Sequence, residues 1–379
     1  MGAVFHHGHA VGIAQLAHGL QVGTYTSPHL ESLTERITRD GEQIDQQEFA
    51  DCVAAIADIE VLAGVRPSYF DIMTAAAFRY FADSAVDVAV IEVGMLGRWD
   101  ATNVVKSDVA VITNIALDHM EFAGPTLQHI AHEKVGISKA NSSLVIGDEN
   151  PELFPIWNES LHAKLIRRGE DFELNENQLA VGGRSLSVRT SRASYSDIHL
   201  PLHGIHQGSN ASIALAAVEE FFDAALNIEI VREGLASVLM PGRFEVLGRQ
   251  PLVIVDGAHN PAGADVCAEV FFDDFSPEGK RILVVGTLKG RDPEQLLSAL
   301  RVDEFDAVIC CTAPTARGLS AGELGDVARR MGCDEVVICD TVDHACEKAL
   351  NMATEEDAVL VAGSLYVVGS ARTLLRRIL

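Results

Sequence analysis

The sequence predicts an α/β protein with two domains, each built on a mainly parallel sheet. Short continuous apolar runs such as Val86–Val93 and Val109–Asn114 are typical of strands buried on both faces. Helical stretches separate these runs, and strands joined by helices form parallel sheets. With 379 residues, the chain is too long for one ordinary domain and suits two.

The first predicted domain covers residues 1–240 and is the longer one. Its opening stretch predicts a helix that runs to Val22, followed by a strand at Gly23–Thr26. From Lys164 to Leu202, short polar alternating stretches predict antiparallel strands at the domain's edge. Helices are predicted over Ile72–Phe81, Leu127–Ile137 and Ser209–Asp223.

A Pro-Gly break at Met240-Pro241-Gly242 predicts the start of a second domain, residues 241–379. Five β-α pairings follow it, so we expect a smaller, Rossmann-like sheet with helices such as Pro293–Leu300 and Ala321–Met331. The predicted strands are Leu252–Val255, Ile282–Val285, Ala307–Cys311, Glu335–Ile338 and Ala358–Ala362.

Composition limits the possible partners. Acidic residues outnumber basic ones by 54 to 29, which gives a formal net charge of −25. Such a surface repels nucleic-acid backbones and anionic membranes, so neither is an expected partner. No apolar run reaches the ~20 residues of a membrane span. The cysteine count of 7 is odd and no pair has CxxC spacing, which favours reduced thiols in a cytoplasmic protein.

Candidate functional residues of the first domain lie where predicted strands end, the usual ligand-binding edge of open α/β sheets. Glu92 follows a buried strand, where a carboxylate suits Mg²⁺, although an isolated Glu more often caps a loop. The Asp118-His119 pair suits a metal ligand with its orienting partner, or equally a satisfied loop histidine. Lys134 by itself has the pattern of an exposed helix lysine.

Two further stretches lie at the start of the second domain. The run Asp256-Gly-Ala-His259-Asn-Pro follows a strand and contains a histidine that an ordinary β–α turn would not need. Arg243, at the domain break, suits a phosphate clamp or an interdomain salt bridge about equally.

Taken together, these stretches resemble the folylpolyglutamate synthase and dihydrofolate synthase family of the Mur-ligase superfamily. The likeness runs from about Gly19 to the C-terminus, and the order of its motifs makes it specific. The motifs are TYTSPHL (24–30), ERI (35–37), FDIMTAAAF (70–78), EVGMLGRWDATN (92–103), NIALDH (114–119), EKVGI (133–137), HQGSN (206–210), PGRFEV (241–246), DGAHNPAG (256–263) and GSLYVVG (363–369).

The resemblance implies an ATP-dependent carboxylate–amine ligase with Mg²⁺ as its metal. Such an enzyme adds L-glutamate to dihydropteroate, to folates, or to both, through an acyl phosphate. It also implies a monomer. The motifs do not separate the two acceptors.

The resemblance also assigns site residues. Ser27, Glu92 and His119 match metal positions, and Lys134 matches a lysine that becomes carbamylated, which turns a cation into an anion. Glu92, His119, Lys134 and His259 are the implied catalytic residues. The implied nucleotide contacts are Asn210, Arg243, Asp256 and Lys289. The implied substrate contacts are Ser27, Pro28, His29, Phe70, Thr74, Ser364 and Tyr366.

One departure from the family concerns the N-terminus. Family members carry a strand and a phosphate-binding loop, G-T-N-G-K-G-S, before the first helix. Ungapped alignment back from Thr24 puts Val4 at the loop's lysine and His6 at its serine, so the loop is missing or degenerate. Three hypotheses follow. The chain is a shortened or frameshifted version of a normal ligase, a degenerate, non-catalytic relative that binds folate or a partner protein, or a Mur-type ligase for another carboxylate.

Overall fold

The computed structural model describes residues 19–117 and 120–379, which divide into two compact units. One unit contains the described residues up to Pro201 together with Ile205–Leu239. The other contains Leu202–Gly204 and Met240–Leu379. Each unit combines sheets with helices, which confirms the predicted α/β class. Most of the helix predicted up to Val22 lies outside the described residues, but its end was wrong, because residues 19–21 are not helical and Val22 begins the first strand.

The elements of the first unit alternate between strands and helices until a run of three longer strands. Its strands are β1 (Val22–Tyr25), β2 (Ile37–Arg39), β3 (Glu42–Gln43), β4 (Val88–Ile91), β5 (Val109–Ile112), β6 (Ser143–Ile146), β7 (Lys164–Arg167), β8 (Phe172–Ala180), β9 (Gly183–Thr190) and β10 (Ser194–Leu200). Its helices are α1 (Gln46–Ala63), α2 (Tyr69–Asp83), α3 (Met120–Ala123), α4 (Leu127–Lys134), α5 (Phe154–Glu159), α6 (Ile205–Phe222) and α7 (Ile228–Ala236).

The described strands of this unit form three sheets. β1 pairs in parallel with β4 and antiparallel with β2, and β5, β6 and β7 form a parallel group. β8, β9 and β10 form the predicted antiparallel sheet. The prediction was wrong for β7, which is parallel to β6. Ile166 of β7 is buried and Leu165 packs on the core beneath the parallel strands, so the apolar pair places the strand there.

Helix α2 covers one face of β1 and β4. Its first turn is fixed by a capping box, in which Ser68 and Asp71 each accept a hydrogen bond from the other's backbone N–H. Met73, Ala76 and Ala77 on the buried side of the helix pack in one core with Tyr25 and Ile91 of the strands. The helix therefore approaches the sheet closely beside the strand ends where the candidate residues lie.

The second unit is built on one six-stranded sheet in the order β11-β12-β16-β13-β14-β15. Its pairs are parallel except for β11, which is antiparallel to β12. The strands are β11 (Glu245–Arg249), β12 (Leu252–Val255), β13 (Arg281–Val285), β14 (Ala307–Cys311), β15 (Val336–Cys339) and β16 (Ala358–Ala362). The helices are α8 (Pro261–Glu269), α9 (Pro293–Ala299), α10 (Ala321–Arg330), α11 (Val342–Met352) and α12 (Leu365–Ile378).

This topology fits the predicted Rossmann-like sheet. The five predicted strands are present with small shifts at their ends, and β11 is an additional edge strand. Because β16 lies between β12 and β13, the segments that follow these three strands emerge side by side. In the described parts of both units, no helix has the length and apolar character needed to cross a membrane. The seven cysteines are free thiols.

Candidate active site

The ends of β1 and β4 bring two predicted metal-site residues together. Tyr25 and Ile91 are partners in the parallel register, so the residues after them leave the sheet at the same edge. The Ser27 N–H donates to Glu92 Oε2 at 2.6 Å, and the Glu92 N–H donates to the Tyr25 carbonyl at 2.9 Å. The hydroxyl-bearing Ser27 is therefore held against the Glu92 carboxylate, which is half-buried.

The loop that follows β4, residues 92–103, is closed by its own side chains. Asp100 accepts hydrogen bonds from the Met95 N–H at 2.9 Å and from both the N–H and the hydroxyl of Thr102, at 2.9 and 2.6 Å. Between these anchors the Trp99 side chain points outward and is 85% exposed. The loop is thus a fixed turn that presents an aromatic ring.

The same loop packs against the end of helix α4, where Lys134 is the last residue. The Arg98 N–H donates to the Glu133 carbonyl at 3.0 Å. Gly97 has φ +156°, and a Cβ at this position would lie 3.0 Å from the Lys134 carbonyl oxygen. Glycine is required for this close approach. The structure therefore places half-buried Lys134 against the loop that begins at Glu92.

Asn103 fastens the loop to the turn beyond Lys134. Its amide nitrogen donates to the Arg98 and Gly136 carbonyls, at 2.8 and 3.1 Å. Its amide oxygen accepts from Lys139 Nζ at 2.7 Å. Because an ammonium group only donates, Lys139 fixes which way the amide faces. Burial lowers the pKa of Lys139, and the nearby Arg98 charge lowers it further. Neither Asn103 nor Lys139 was predicted from the sequence as a positioning group.

Helix α2 carries two of the predicted substrate-binding residues, and their exposure to solvent differs. The Phe70 ring is half-buried, lies over the backbone of Gly94 and has its centroid 5.9 Å from that of Tyr25. Thr74 is buried, and its hydroxyl is 3.2 Å from the Tyr25 hydroxyl. Burial raises the pKa of Tyr25 to about 12. The geometry suits Phe70 for direct contact with a ligand, whereas Thr74 contacts Tyr25 in the core and would act indirectly.

The segment Ser27-Pro28-His29 leads from the Glu92 carboxylate to a buried arginine. Pro28 is exposed and His29 is half-buried. His29 Nδ1 accepts a hydrogen bond from Arg36 Nε at 2.9 Å, so the imidazole is neutral in this contact. Burial lowers the pKa of His29, and the Arg36 charge lowers it further.

Two other predicted residues belong to this unit. Asn210 lies on α6, half-buried, with its amide nitrogen 3.4 Å from Gln207 Oε1. His119, the predicted second metal position, and the preceding Asp118 lie outside the described residues.

In the second unit, Asp256 ties two predicted motifs together. It follows β12, and its two carboxylate oxygens accept from the Phe244 N–H at 2.7 Å and the Ala258 N–H at 2.8 Å. The Gly257 N–H donates to the Gly242 carbonyl at 2.8 Å, so the 241–246 and 256–263 segments lie side by side. Burial raises the pKa of Asp256, and the Arg243 charge opposes that shift.

The other predicted residues of this unit surround the ends of β12, β16 and β13. His259 Nδ1 lies 2.8 Å from the Gly257 carbonyl, where it acts as the donor. Ser364 caps helix α12 by accepting from the Tyr366 N–H at 3.3 Å, and the Tyr366 side chain is 44% exposed. Lys289 is exposed on the loop after β13. Arg291, which was not predicted as a site residue from the sequence, joins that loop to the cluster by donating to the His259 carbonyl at 2.7 Å.

The oxygen atoms beside Glu92 fit a magnesium ion. Mg²⁺ is usually held by one or two carboxylates, with waters and substrate phosphates completing its shell. A strand-end carboxylate with an adjacent hydroxyl, Ser27, is such a donor set. No cluster of three or more His, Cys, Asp or Glu suited to a metal occurs among residues 19–117 and 120–379.

These features define a class of protein, the Mur ligases. The family model described as "Mur ligase middle domain" matches residues 63–218, and the one described as "Mur ligase, glutamate ligase domain" matches residues 242–365. The first match contains Glu92 and Lys134, and the second contains Arg243, Asp256 and His259.

Comparisons that span most of the chain identify the family within this class. The dihydrofolate synthase/folylpolyglutamate synthase of Mycobacterium tuberculosis is 37% identical over 400 residues, which cover 94% of this chain and 81% of the relative. The chain therefore belongs to the dihydrofolate synthase/folylpolyglutamate synthase family. Escherichia coli FolC in complex with DHPP and ADP is 29% identical, with a TM-score of 0.88 and coverage of 100% of this chain and 88% of that one.

A bifunctional folylpolyglutamate synthase/dihydrofolate synthase solved with Mn, AMPPNP and L-glutamate is also similar. It has a TM-score of 0.85 and 30% identity, and the match covers 99% of this chain and 88% of that structure.

Proposed function

We propose that this chain is an ATP-dependent ligase that adds L-glutamate to dihydropteroate, to folates, or to both. One observation carries the proposal: Ser27 and Glu92 meet at adjacent strand ends, and the loop that starts at Glu92 packs on the helix that ends at Lys134. The names and bound ligands of the similar proteins support the same activity. We also propose that it works as a monomer in the cytoplasm.

The proposed reaction has two steps. An oxygen of the acceptor carboxylate attacks the γ-phosphorus of ATP, the bond to the bridging oxygen breaks, and ADP leaves. The amine of glutamate then attacks the carbonyl carbon of the acyl phosphate, phosphate leaves, and the amine loses a proton. Phosphoryl transfer depends mainly on positioning and charge neutralisation, so the site does not require a reactive nucleophile of its own.

Residues of the first unit would manage the acceptor and the metal. Glu92 and Ser27, with His119, would hold Mg²⁺, which when bound neutralises phosphate charge. Lys134 would act as a carbamate, because an anion at this position can receive a cation that the unmodified ammonium would repel. Phe70 would offer its ring to the pterin, and the exposed Pro28 and half-buried His29 would border the same substrate.

Residues of the second unit would contact the nucleotide and glutamate. Arg243 would bind phosphate oxygens, and Asp256 would hold the Arg243 segment in place through the Phe244 N–H. Because His259 donates its Nδ1 proton to the Gly257 carbonyl, its basic nitrogen is Nε2, which can take the proton released by glutamate. Ser364 and Tyr366 would border glutamate, and Asn210 and Lys289 would contact the nucleotide.

The decisive experiment is a ligation assay with purified protein, Mg-ATP, L-glutamate and dihydropteroate or a folate. We expect ADP release that requires both glutamate and an acceptor. Glu92→Gln should lower turnover by at least about 100-fold, the scale of losing one essential electrostatic group. The exposed Glu42→Gln serves as the matched control and should retain wild-type turnover.

Two results would contradict the proposal. Retained turnover in a folded Glu92→Gln variant would exclude the metal role of this carboxylate. Acceptor binding without ADP release in the wild-type protein would instead favour a non-catalytic relative.

A further inference from the structure

Arg36 is a buried cation. Only 7% of its surface is exposed, in a chain with a net charge of −25. Within residues 19–117 and 120–379, no carboxylate lies within ion-pair distance of its guanidinium. A buried charge is usually paired, because leaving water costs several kcal/mol. The neighbouring acid, Glu35, is engaged elsewhere: its oxygens accept the backbone N–H groups of Leu30, Glu31 and Ser32.

The contacts that Arg36 does make orient it without neutralising it. Its Nε donates to the neutral His29 ring, and its guanidinium carbon lies 5.6 Å from the centroid of the Tyr69 ring. Guanidinium groups have five N–H donors in a planar fork that matches a carboxylate. With Nε engaged by His29, the terminal nitrogens keep donors for such a partner.

Arg36 is also tied to the candidate metal site. The Thr26 N–H donates to the Arg36 carbonyl at 2.8 Å, and the next N–H, that of Ser27, donates to Glu92. Two residues of chain span at most about 7 Å, so His29, the partner of Arg36, stays close to Ser27. The two carboxylate carbons of a glutamyl group lie roughly 5 Å apart by bond lengths. A glutamyl group therefore carries two carboxylates that can meet two neighbouring sites at once.

We propose that Arg36 binds the α-carboxylate of a glutamyl group already present on a folate acceptor, while the γ-carboxylate of that group reacts near Glu92. The arginine suits the non-reacting carboxylate, because pairing with a cation would weaken a carboxylate that must attack phosphorus. Dihydropteroate has one carboxylate, the reacting one. Arg36 is therefore a specificity-determining residue that favours folates over dihydropteroate. This inference rests on the proposed function.

The test compares two acceptors in two variants. Arg36→Met should lower kcat/KM for a monoglutamyl folate by about 10- to 100-fold, as expected for losing hydrogen bonds to a charged group, mainly through a higher KM. Its kcat/KM for dihydropteroate should change by less than about 3-fold. Arg36→Lys keeps the charge without the fork and should give an intermediate loss for the folate only. Exposed Arg39→Met, three residues further along, is the matched control and should behave as wild type.

The outcomes separate the inference from the proposed function. If the wild-type protein ligates neither acceptor, the proposed function fails. If it ligates both, and Arg36→Met loses both equally or loses neither, the assignment of Arg36 is overturned. If the melting temperature shows that Arg36→Met is misfolded, Arg36→Lys decides the test. An unchanged ratio of folate to dihydropteroate kcat/KM in Arg36→Lys would overturn the assignment.

Discussion

The loop after β4 in the first unit and the loop after β12 in the second are both held by an aspartate that accepts backbone N–H groups. Among the residues that the structure describes, the Asp100 carboxylate accepts hydrogen bonds from its own loop alone, at Met95 and Thr102. Asp256 binds its own loop at Ala258, and also Phe244, which lies twelve residues earlier in the preceding segment. The same residue type therefore closes a local turn in one unit and joins two separate motifs in the other.

The difference indicates where each loop gets its stability. The first loop depends on further side chains to attach it to the rest of its unit, and Asn103 does this through Gly136 and Lys139. The second loop is connected to the 241–246 segment by its own aspartate, and the Gly257 N–H donates to the Gly242 carbonyl beside it. Substitutions at the two aspartates should therefore differ in how much they destabilise the protein and in how many residues they affect.

The largest effect is expected for Asp256→Ala. It leaves the Phe244 and Ala258 N–H groups without their acceptor, which should destabilise the protein by about 3 kcal/mol. Chemical denaturation would measure the loss, and hydrogen exchange should show it across residues 241–263. Asp100→Ala is the matched comparison and should cost about 1 kcal/mol, with faster exchange confined to residues 95–102. Equal losses at the two positions would remove the distinction between the loops.

A smaller effect is expected for Asn103→Ala. It removes two donors and the acceptor of Lys139, so we expect a loss of about 2 kcal/mol and faster exchange at the Arg98 N–H. Lys139→Met should cost about 1 kcal/mol, since the Asn103 donors remain. Lys348→Met, at an exposed position on α11, should leave stability unchanged. No change in exchange at Arg98 in the Asn103 variant would contradict the attachment role.

The smallest effect is on the pH dependence of stability, and its sign should differ between the units. The lowered pKa of His29 means that the folded protein favours the neutral ring. Its contribution is complete above the unfolded value of about 6.5 and is lost as pH falls through the folded pKa. The raised pKa of Asp256 means the reverse: its contribution is complete below about 3.9 and is lost as pH rises through the folded pKa.

Thermal melts from pH 4 to 8 would check these signs. The stability of wild type relative to His29→Gln should decrease as pH falls, and relative to Asp256→Asn it should decrease as pH rises. The same direction for both variants would show that one of the two environments is misassigned.

Strands that are continuous apolar runs, and the residues that directly follow such strands, could be predicted from the sequence. β12 to β16 are apolar runs, and Glu92 and Asp256 could be placed because each follows such a run. β11 was missed because its residues are half-buried and show no strong pattern. Helix α1 was missed for a similar reason, since Cys52 is its buried residue and the rest lies near solvent.

The candidate site was predicted less completely, because its links join distant segments. The sequence around Asn103 does not predict its hydrogen bond to the Gly136 carbonyl, 33 residues away. The importance of Arg36 follows from the pairing of β1 with β2, which sets its backbone against Thr26. Such contacts depend on register, and register is a property of the folded chain.

The two tryptophans lie in opposite environments within the first unit. Trp99 is 85% exposed on the loop after β4, and Trp157 is fully buried in the core beneath β5 and β6. Indole emission shifts with the polarity around the ring, so the long-wavelength component of the intrinsic fluorescence belongs to Trp99. The protein therefore carries a native optical reporter on the loop that holds Glu92, and a second, shielded indole as its internal reference.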